Sequence, residues 1–166
     1  MFKDALSVIP SRPVVFIAPV IVVLVLVFYY RDLHIKCSDI KQHRVALNEV
    51  LPSHERSAPF RLAEFTRFSW DKVRIVARLE PHNRTVECPF GWNWPSGERE
   101  TLAASGLLSA LMFAQQGTIV KYLEVRNDEV AFRGTDSSLT PQTAVFTVGS
   151  NSDDSSAVTL TLTSEN

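Results

Sequence analysis

The stretch PVVFIAPVIVVLVLVFYY, residues 13–30, carries no charged side chain and is closed by Arg12 and Arg31. A helix rises about 1.5 Å per residue, so this segment covers roughly 27 Å, close to the ~30 Å hydrocarbon core of a bilayer. Tyr29 and Tyr30 suit a membrane–water interface because the tyrosine ring is apolar while its hydroxyl is hydrated. The sequence therefore predicts one transmembrane helix.

Other roles for this segment fit less well. A cleaved signal peptide has an apolar core of about 7–15 residues and a small-x-small cleavage site, whereas this run is longer and ends in bulky aromatics. A lipoprotein would have small apolar residues before Cys37, where this chain has Leu33-His34-Ile35-Lys36. Pro19 leaves two alternatives open, because a proline inside a helix can kink the helix or mark its true start.

The membrane topology is predicted from charge and cysteine content. Basic residues are retained on the cytoplasmic side, but Lys3 and Arg12 before the span are balanced by several basic residues after it. A short tail is easily held inside, and Cys37 and Cys88 suit an oxidising compartment. We expect a single-pass protein of the cell membrane, with the N-terminus in the cytoplasm and residues 31–166 outside.

Length and charge divide the rest of the chain. The 136 residues after the span suffice for one small domain. From residue 31 to 84 there are eleven Lys/Arg against seven Asp/Glu, a net of +4, and from 85 to 166 four against ten, a net of −6. This charge gradient would hold residues 31–84 near membrane lipid headgroups and present residues 85–166 to solvent or a basic partner. The alternative is that the uneven charge has no role. We expect no nucleic-acid partner.

The predicted divisions are a tail (1–12), an anchor (13–30), a helical stalk with a loop (31–66) and a small α+β domain (67–166).

The predicted stalk has an apolar stripe on one face. No helix breaker occurs between Tyr30 and Leu51, so the transmembrane helix is expected to continue. Arg44 interrupts the stripe, and Pro52 to Pro59 reads as a loop. Cys37 lies on the stripe and could form a disulfide with Cys88; two free thiols in a cytoplasmic domain are the alternative. The stripe consists of Cys37, Ile40, Leu47, Val50 and Leu51.

The remaining sequence predicts an α+β fold with an antiparallel sheet of about five strands and one short helix. Residues 72–79 alternate as a half-buried strand, and Ser96 is expected to cap a helix that stops at Gly106. Gln115-Gln116-Gly117 joins two apolar runs as a hairpin. Weaker strands are expected at 129–133, 144–148 and 157–163.

Phe68, Trp70, Asp71, Lys72 and Val73 belong to an F-x-W-D-K-V segment, which is followed by residues 97–106, 111–120 and 140–142. These motifs resemble those of a group of small bacterial envelope proteins, which are lipoproteins or single-pass proteins with an F-x-W-D-K-V strand. The resemblance covers residues 68–148, about half the chain. It implies fold and location, the bacterial cell (inner) membrane with the domain in the periplasm or its equivalent, since the group has no assigned activity. The sequence departs from the group's pattern at Arg74-Ile75-Val76 and carries a Pro89–Trp94 insert.

No local catalytic signature occurs in the sequence, and neither the four histidines nor the two cysteines have metal-ligand spacing. We therefore predict no catalytic residue, metal or cofactor. Trp92 and Trp94 resemble exposed aromatics that bind sugars or a partner's pocket, although such residues more often lie in a core. The favoured interpretation is a non-catalytic, protein-binding, accessory or immunity-type module. The alternative is a membrane-tethered hydrolase or sugar-binding enzyme that uses both tryptophans and acids such as Glu87, Glu98 or Glu100.

Overall fold

A computed structural model describes residues 14–51, 58–80, 88–134, 137–150 and 157–163. The chain begins with helix α1 (Val14–Val50), which is 37 residues long and contains Pro19 without interruption. The helix is long and apolar enough to cross a membrane, and none of its most apolar window is buried against the rest of the protein. The prediction of one membrane-length helix at this end of the chain agrees with the structure, as does its continuation to residue 50.

The α+β class is confirmed, with seven strands in two sheets in the described part of the chain. A three-stranded antiparallel sheet has the order β2 (Lys72–Val76), β3 (Leu108–Gln115), β4 (Thr118–Arg126). A four-stranded sheet has the order β1 (Pro59–Arg61), β6 (Val145–Ser150), β7 (Val158–Leu162), β5 (Val130–Arg133). Strands β5 and β7 are parallel, and the other pairs are antiparallel.

Two short α-helices and one 3-10 turn complete the described chain. Helix α2 (Leu62–Phe65) follows β1, the 3-10 turn spans Pro89–Gly91, and helix α3 (Glu98–Ala104) precedes β3. The cap of α3 is Gly97 at φ 78°, not Ser96 as predicted; the helix ends before Gly106 at φ 68° as expected. The polar loop at 52–57, the N-terminal tail and Glu87 lie outside the described residues.

Local chemistry explains the β3–β4 hairpin. Gln116 and Gly117 have φ values of 51° and 78°, the two positive angles that a type I′ turn requires. The backbone N–H of Gln116 donates to the Asp71 carboxylate at 2.7 Å. The hairpin predicted at Gln115-Gln116-Gly117 is therefore present, with Gln115 as the last residue of β3.

The three-stranded sheet is buried on both faces. Leu111 and Phe113 face a core shared with the four-stranded sheet, with Leu47 of α1 and with Leu51, which follows the helix. On the other face, the side chains of alternate β3 residues join a second core with Ile40, helix α3 and Trp94. This arrangement explains why β3 is a continuous apolar run instead of an alternating one.

Candidate functional site

A disulfide joins the stalk to the segment before α3. Cys37, completely buried on α1, is bonded to Cys88, 51 positions later, with 5.8 Å between the two Cα atoms. The bond fixes the start of residues 88–94, which we call the aromatic insert, beside the part of α1 that follows the apolar span. The insert therefore lies next to the helix where the helix would leave a membrane.

The side chains of the aromatic insert have different surroundings. Phe90 is 80% exposed. Trp92 is half-buried, with its ring in edge contact with His34 at 4.8 Å and tilted against Phe90 at 5.7 Å between ring centroids. Trp94 is only 5% exposed. Of the two tryptophans considered as binding residues, Trp92 keeps an accessible face, whereas Trp94 takes the core role.

A groove of about 570 Å³ separates α1 from the insert and α3. Glu100 is the only carboxylate among its described lining residues. Glu98 instead accepts a hydrogen bond from Arg126 at 3.2 Å. Among the described residues, the groove thus does not bring together the two facing carboxylates that a glycoside hydrolase uses. Its lining residues on α1 are Tyr29, Tyr30 and Leu33.

The most elaborate polar arrangement in the described chain surrounds Glu124 on β4, which is 1% exposed. Arg99 of α3 donates to its Oε1 from both Nε and Nη2, at 2.8 and 2.7 Å. Tyr122 donates to the same oxygen at 3.1 Å. The indole N–H of Trp94 donates to Oε2 at 2.7 Å and the Asn93 amide at 3.2 Å. We call these residues, with Arg44, the Glu124 cluster.

Arg44 connects this cluster to the stalk. Its guanidinium donates to the Asn93 side-chain oxygen at 2.8 Å and to the Asn93 carbonyl at 2.7 Å, and it lies 3.5 Å from the centre of the Trp94 ring. Burial lowers the pKa of Arg44, opposed by the charges of Glu129 and Glu124. The arginine that interrupts the apolar stripe is thus a buried side chain whose charge is held by an aromatic face and two oxygens.

The Glu124 cluster connects strand β4 with helix α3, the aromatic insert and α1, and its role is structural. Burial opposes the charge of Arg99, but the hydrogen bonds and charge of Glu124 raise its pKa above the usual value. Both oxygens of Glu124 are occupied by donors, so this carboxylate is suited to an ionised structural role more than to proton transfer. The residues of the described ranges include no group of three His, Cys, Asp or Glu side chains arranged for a metal ion.

The F-x-W-D-K-V segment also has structural contacts. The Phe68 and Trp70 rings pack edge-on against Phe113 at 5.1 and 5.3 Å, and the Trp70 indole donates to Thr66 at 2.7 Å. Val73 is fully buried. Phe68, Trp70, Asp71 and Val73 thus contact β3 or the turn that follows it, and they fix β2 beside β3. The Lys72 side chain is exposed.

A second groove, of about 520 Å³, lies on the stalk's other side and further along the chain. Its apolar part includes Ala46, Val50 and Phe65. Its charged rim, counted over the residues that the structure describes, has two arginines, Arg61 and Arg67, against one acid, Glu64. Arg61 and Glu64 are 3.9 Å apart. We call this the α1–α2 groove. It combines apolar surface with a net positive rim.

Sequence reasoning did not single out Arg44, Asn93 or Glu124 as one group. The sequence did contain a signal for Glu124. It lies within Tyr122-Leu123-Glu124-Val125, an apolar strand without the alternation of polar residues that would place an acid on a solvent-exposed face. Nothing local identified its partners, which lie 25 to 31 positions away in Arg99, Trp94 and Asn93.

No protein-family model, curated protein or solved structure matches this chain. The resemblance to small envelope proteins therefore stays a prediction, and any function is argued from the geometry above.

Proposed function

We propose that the chain is a single-pass protein of the bacterial cell membrane whose C-terminal domain lies outside the cytoplasm and binds another envelope protein without catalysing a reaction. The observation that carries this proposal is the Cys37–Cys88 disulfide, whose first cysteine lies on α1 seven residues after the apolar span ends at Tyr30. Disulfides persist in the periplasm and at cell surfaces but are rare in the reducing cytoplasm. The bond therefore supports an external domain. The basic residues that flank the apolar span do not decide the topology, because they are balanced on its two sides.

Support for binding instead of catalysis comes from the two grooves. The groove beside the insert contains one described carboxylate, and the most buried carboxylate, Glu124, is enclosed by donors. The α1–α2 groove has apolar walls and a basic rim that suit an apolar segment with acidic flanks. We assign this groove to the protein partner, in an accessory or immunity-type role.

The alternative enzyme interpretation has less support. It needed both tryptophans as a platform for sugar rings, and the Trp94 ring is covered by Arg44 while its N–H is bonded to Glu124. Of the two tryptophans, Trp92 alone keeps a face that could stack on a ligand, and it is not among the residues that line the groove with Glu100. Carbohydrate binding by Trp92 would still be detected as quenching of tryptophan fluorescence by cell-wall fragments, an effect the proposed function does not predict.

The topology is tested with Ala77→Cys, a small and exposed position on the domain surface. A maleimide that does not cross the cytoplasmic membrane is added to cells whose outer barrier, where present, has been opened. We expect the added thiol to react before lysis while the native pair stays unreactive without reductant. Labelling of residue 77 only after lysis would place the domain in the cytoplasm and contradict the proposal.

The binding surface is tested by photo-crosslinking in cells. A photoreactive amino acid at Glu64, in the α1–α2 groove, is compared with one at Arg133, an exposed position on β5. We expect a discrete protein adduct at position 64, its absence at 133, and its loss when Arg67→Glu reverses the charge of the rim. Equal adducts at both positions, or an adduct indifferent to Arg67→Glu, would contradict the assignment of this groove.

A further inference from the structure

The most exposed large apolar side chains of the described chain beyond the apolar span lie on either side of α1, near the point where the helix leaves that span. Phe90 on one side is 80% exposed, and Ile119 on the other is 61% exposed, next to Ile35 at 56%. The less exposed Val45, Val50 and Leu107 lie elsewhere. Isolated exposed apolar residues are ordinary, but the most exposed ones here share the end of the domain at which the apolar span of α1 ends.

Phe90 lies at the level of the tyrosines. It lines the same groove as Tyr29 and Tyr30, the residues that end the apolar span. Its backbone has φ 56° and is followed by Gly91 at φ 66°. The left-handed region is unfavourable for a bulky residue, and such strain is a reason to look for function. The strained turn leaves the phenyl ring with little contact to the domain.

The other side is formed by the start of β4. Strand β4 follows the same direction as α1. Lys121 of β4 pairs with Asp39, and Glu129, three residues after the end of β4, accepts a hydrogen bond from Asn48, which lies later on the helix. Ile119 and Val120 line a groove with Ile35. The β3–β4 register shifts at this point, so that Phe113 is opposite Lys121 while Ala114 is opposite Ile119, and Val120 is the extra residue. Such a bulge can turn consecutive side chains outward.

The distances match a membrane surface. Ile35 lies five residues after Tyr30, about 7.5 Å along the helix axis, and each polar layer of a bilayer is roughly 5–8 Å thick. With Tyr30 at the edge of the hydrocarbon core, Phe90 would lie in the headgroup layer and the Ile35–Ile119 pair at its outer boundary. Aromatic and aliphatic side chains gain stability in this layer.

We propose that Phe90 on one side of α1, and Ile119 with Val120 on the other, contact the lipid headgroup layer of the membrane that α1 crosses, so that the domain rests on the bilayer. The inference rests on α1 as the membrane anchor, not on the protein partner. It assigns these residues to lipid, while the α1–α2 groove, lined by later residues of the helix, stays available for a protein.

The test uses the purified full chain in vesicles of phosphatidylethanolamine and phosphatidylglycerol, with a photoreactive phenylalanine analogue at position 90 or 119. The control position is Leu107, an exposed apolar residue just before β3, whose carbonyl accepts a hydrogen bond from the backbone N–H of Asn127. It lies at the end of the β3–β4 pair that is remote from the hairpin turn. We expect mass spectrometry to detect lipid adducts at positions 90 and 119. At position 107 the adduct signal should not exceed that of an unirradiated sample. The adducts should persist at high salt because the contact is apolar.

Flotation of the same vesicles after alkaline washing reports whether α1 is inserted, and resistance of the domain to limited proteolysis reports whether it is folded. Floating, folded protein without lipid adducts at 90 and 119, or with equal adducts at 107, would overturn the inference and leave the anchor standing. Because no other protein is present, the result is independent of the proposed partner.

Discussion

The two halves of α1 have opposite surroundings although one uninterrupted helix carries both. From Ala18 to Tyr30 every described side chain is exposed, whereas Cys37, Ile40 and Leu47 are buried by the domain. The first half is apolar on all sides, and the second has one apolar stripe opposite polar residues. The comparison shows that the distribution of apolar residues around a helix, more than their number, distinguishes a lipid-facing segment from one that packs on protein.

Of the changes considered, removing the disulfide should most weaken the attachment of the second half of α1 to the domain. The bond closes a loop of 51 positions, for which the chain-entropy relation gives about 4 kcal/mol. We expect Cys88→Ser to lower the free energy of unfolding of the domain by that amount in detergent, measured by guanidinium titration. Wild-type protein under reductant is the control and should behave alike; an unchanged midpoint in both would show that the bond does not support the domain.

Truncating one leucine in each half tests the comparison directly. Leu47→Ala should cost about 3 kcal/mol of domain stability, because Leu47 is fully buried in the core between the sheets. Leu24→Ala, in the exposed half, should change domain stability by less than about 0.5 kcal/mol. The same denaturant titration measures both. Equal costs for the two variants would mean that the halves do not differ as described.

Neutralising Glu124 tests the polar connection between the domain and the stalk. Glu124→Gln preserves the shape but removes the charge that Arg99 faces, and its amide N–H₂ conflicts with a donor from Trp94 or Arg99. We expect a loss of about 2 kcal/mol. Glu100→Gln, at an exposed acid of the same region, is the matched control and should be nearly neutral. A Glu124→Gln protein as stable as the control would contradict the structural role of the cluster.

The smallest expected effect concerns the ion pair at the stalk surface. Asp39 and Lys121 form a salt bridge in which both side chains are about one-third exposed. Asp39→Asn should cost about 0.5 kcal/mol, and high salt should remove the difference. Thermal unfolding at two salt concentrations measures this. A loss that is large or insensitive to salt would show that Asp39 contributes through packing instead of charge.

Features with local causes could be predicted from the sequence. The membrane-length helix follows from the unbroken apolar run, the β3–β4 hairpin from Gln116-Gly117, and the end of α3 from Gly106. The start of α3 was placed one residue early because both Ser96 and Gly97 are acceptable caps, and only the backbone angles distinguish them.

Features that depend on distant residues could not be predicted. The division into two sheets depends on pairings such as β1 with β6, about 86 positions apart, and on the parallel pairing of β5 with β7. Arg44 was interpreted as an interruption of the stripe because its partner, Asn93, lies 49 positions later. A buried charge becomes favourable only when such partners are known.

Hydrogen–deuterium exchange of α1 tests the central claim most directly, comparing the full chain in lipid nanodiscs with a fragment of residues 31–166 in solution. We expect residues 18–30 to be protected in nanodiscs, and residues 37–50 to be equally protected in both samples, because lipid shields the first half and the domain shields the second. Rapid exchange at 18–30 in the nanodisc, or loss of protection at 37–50 in a disulfide-bonded fragment, would contradict the account.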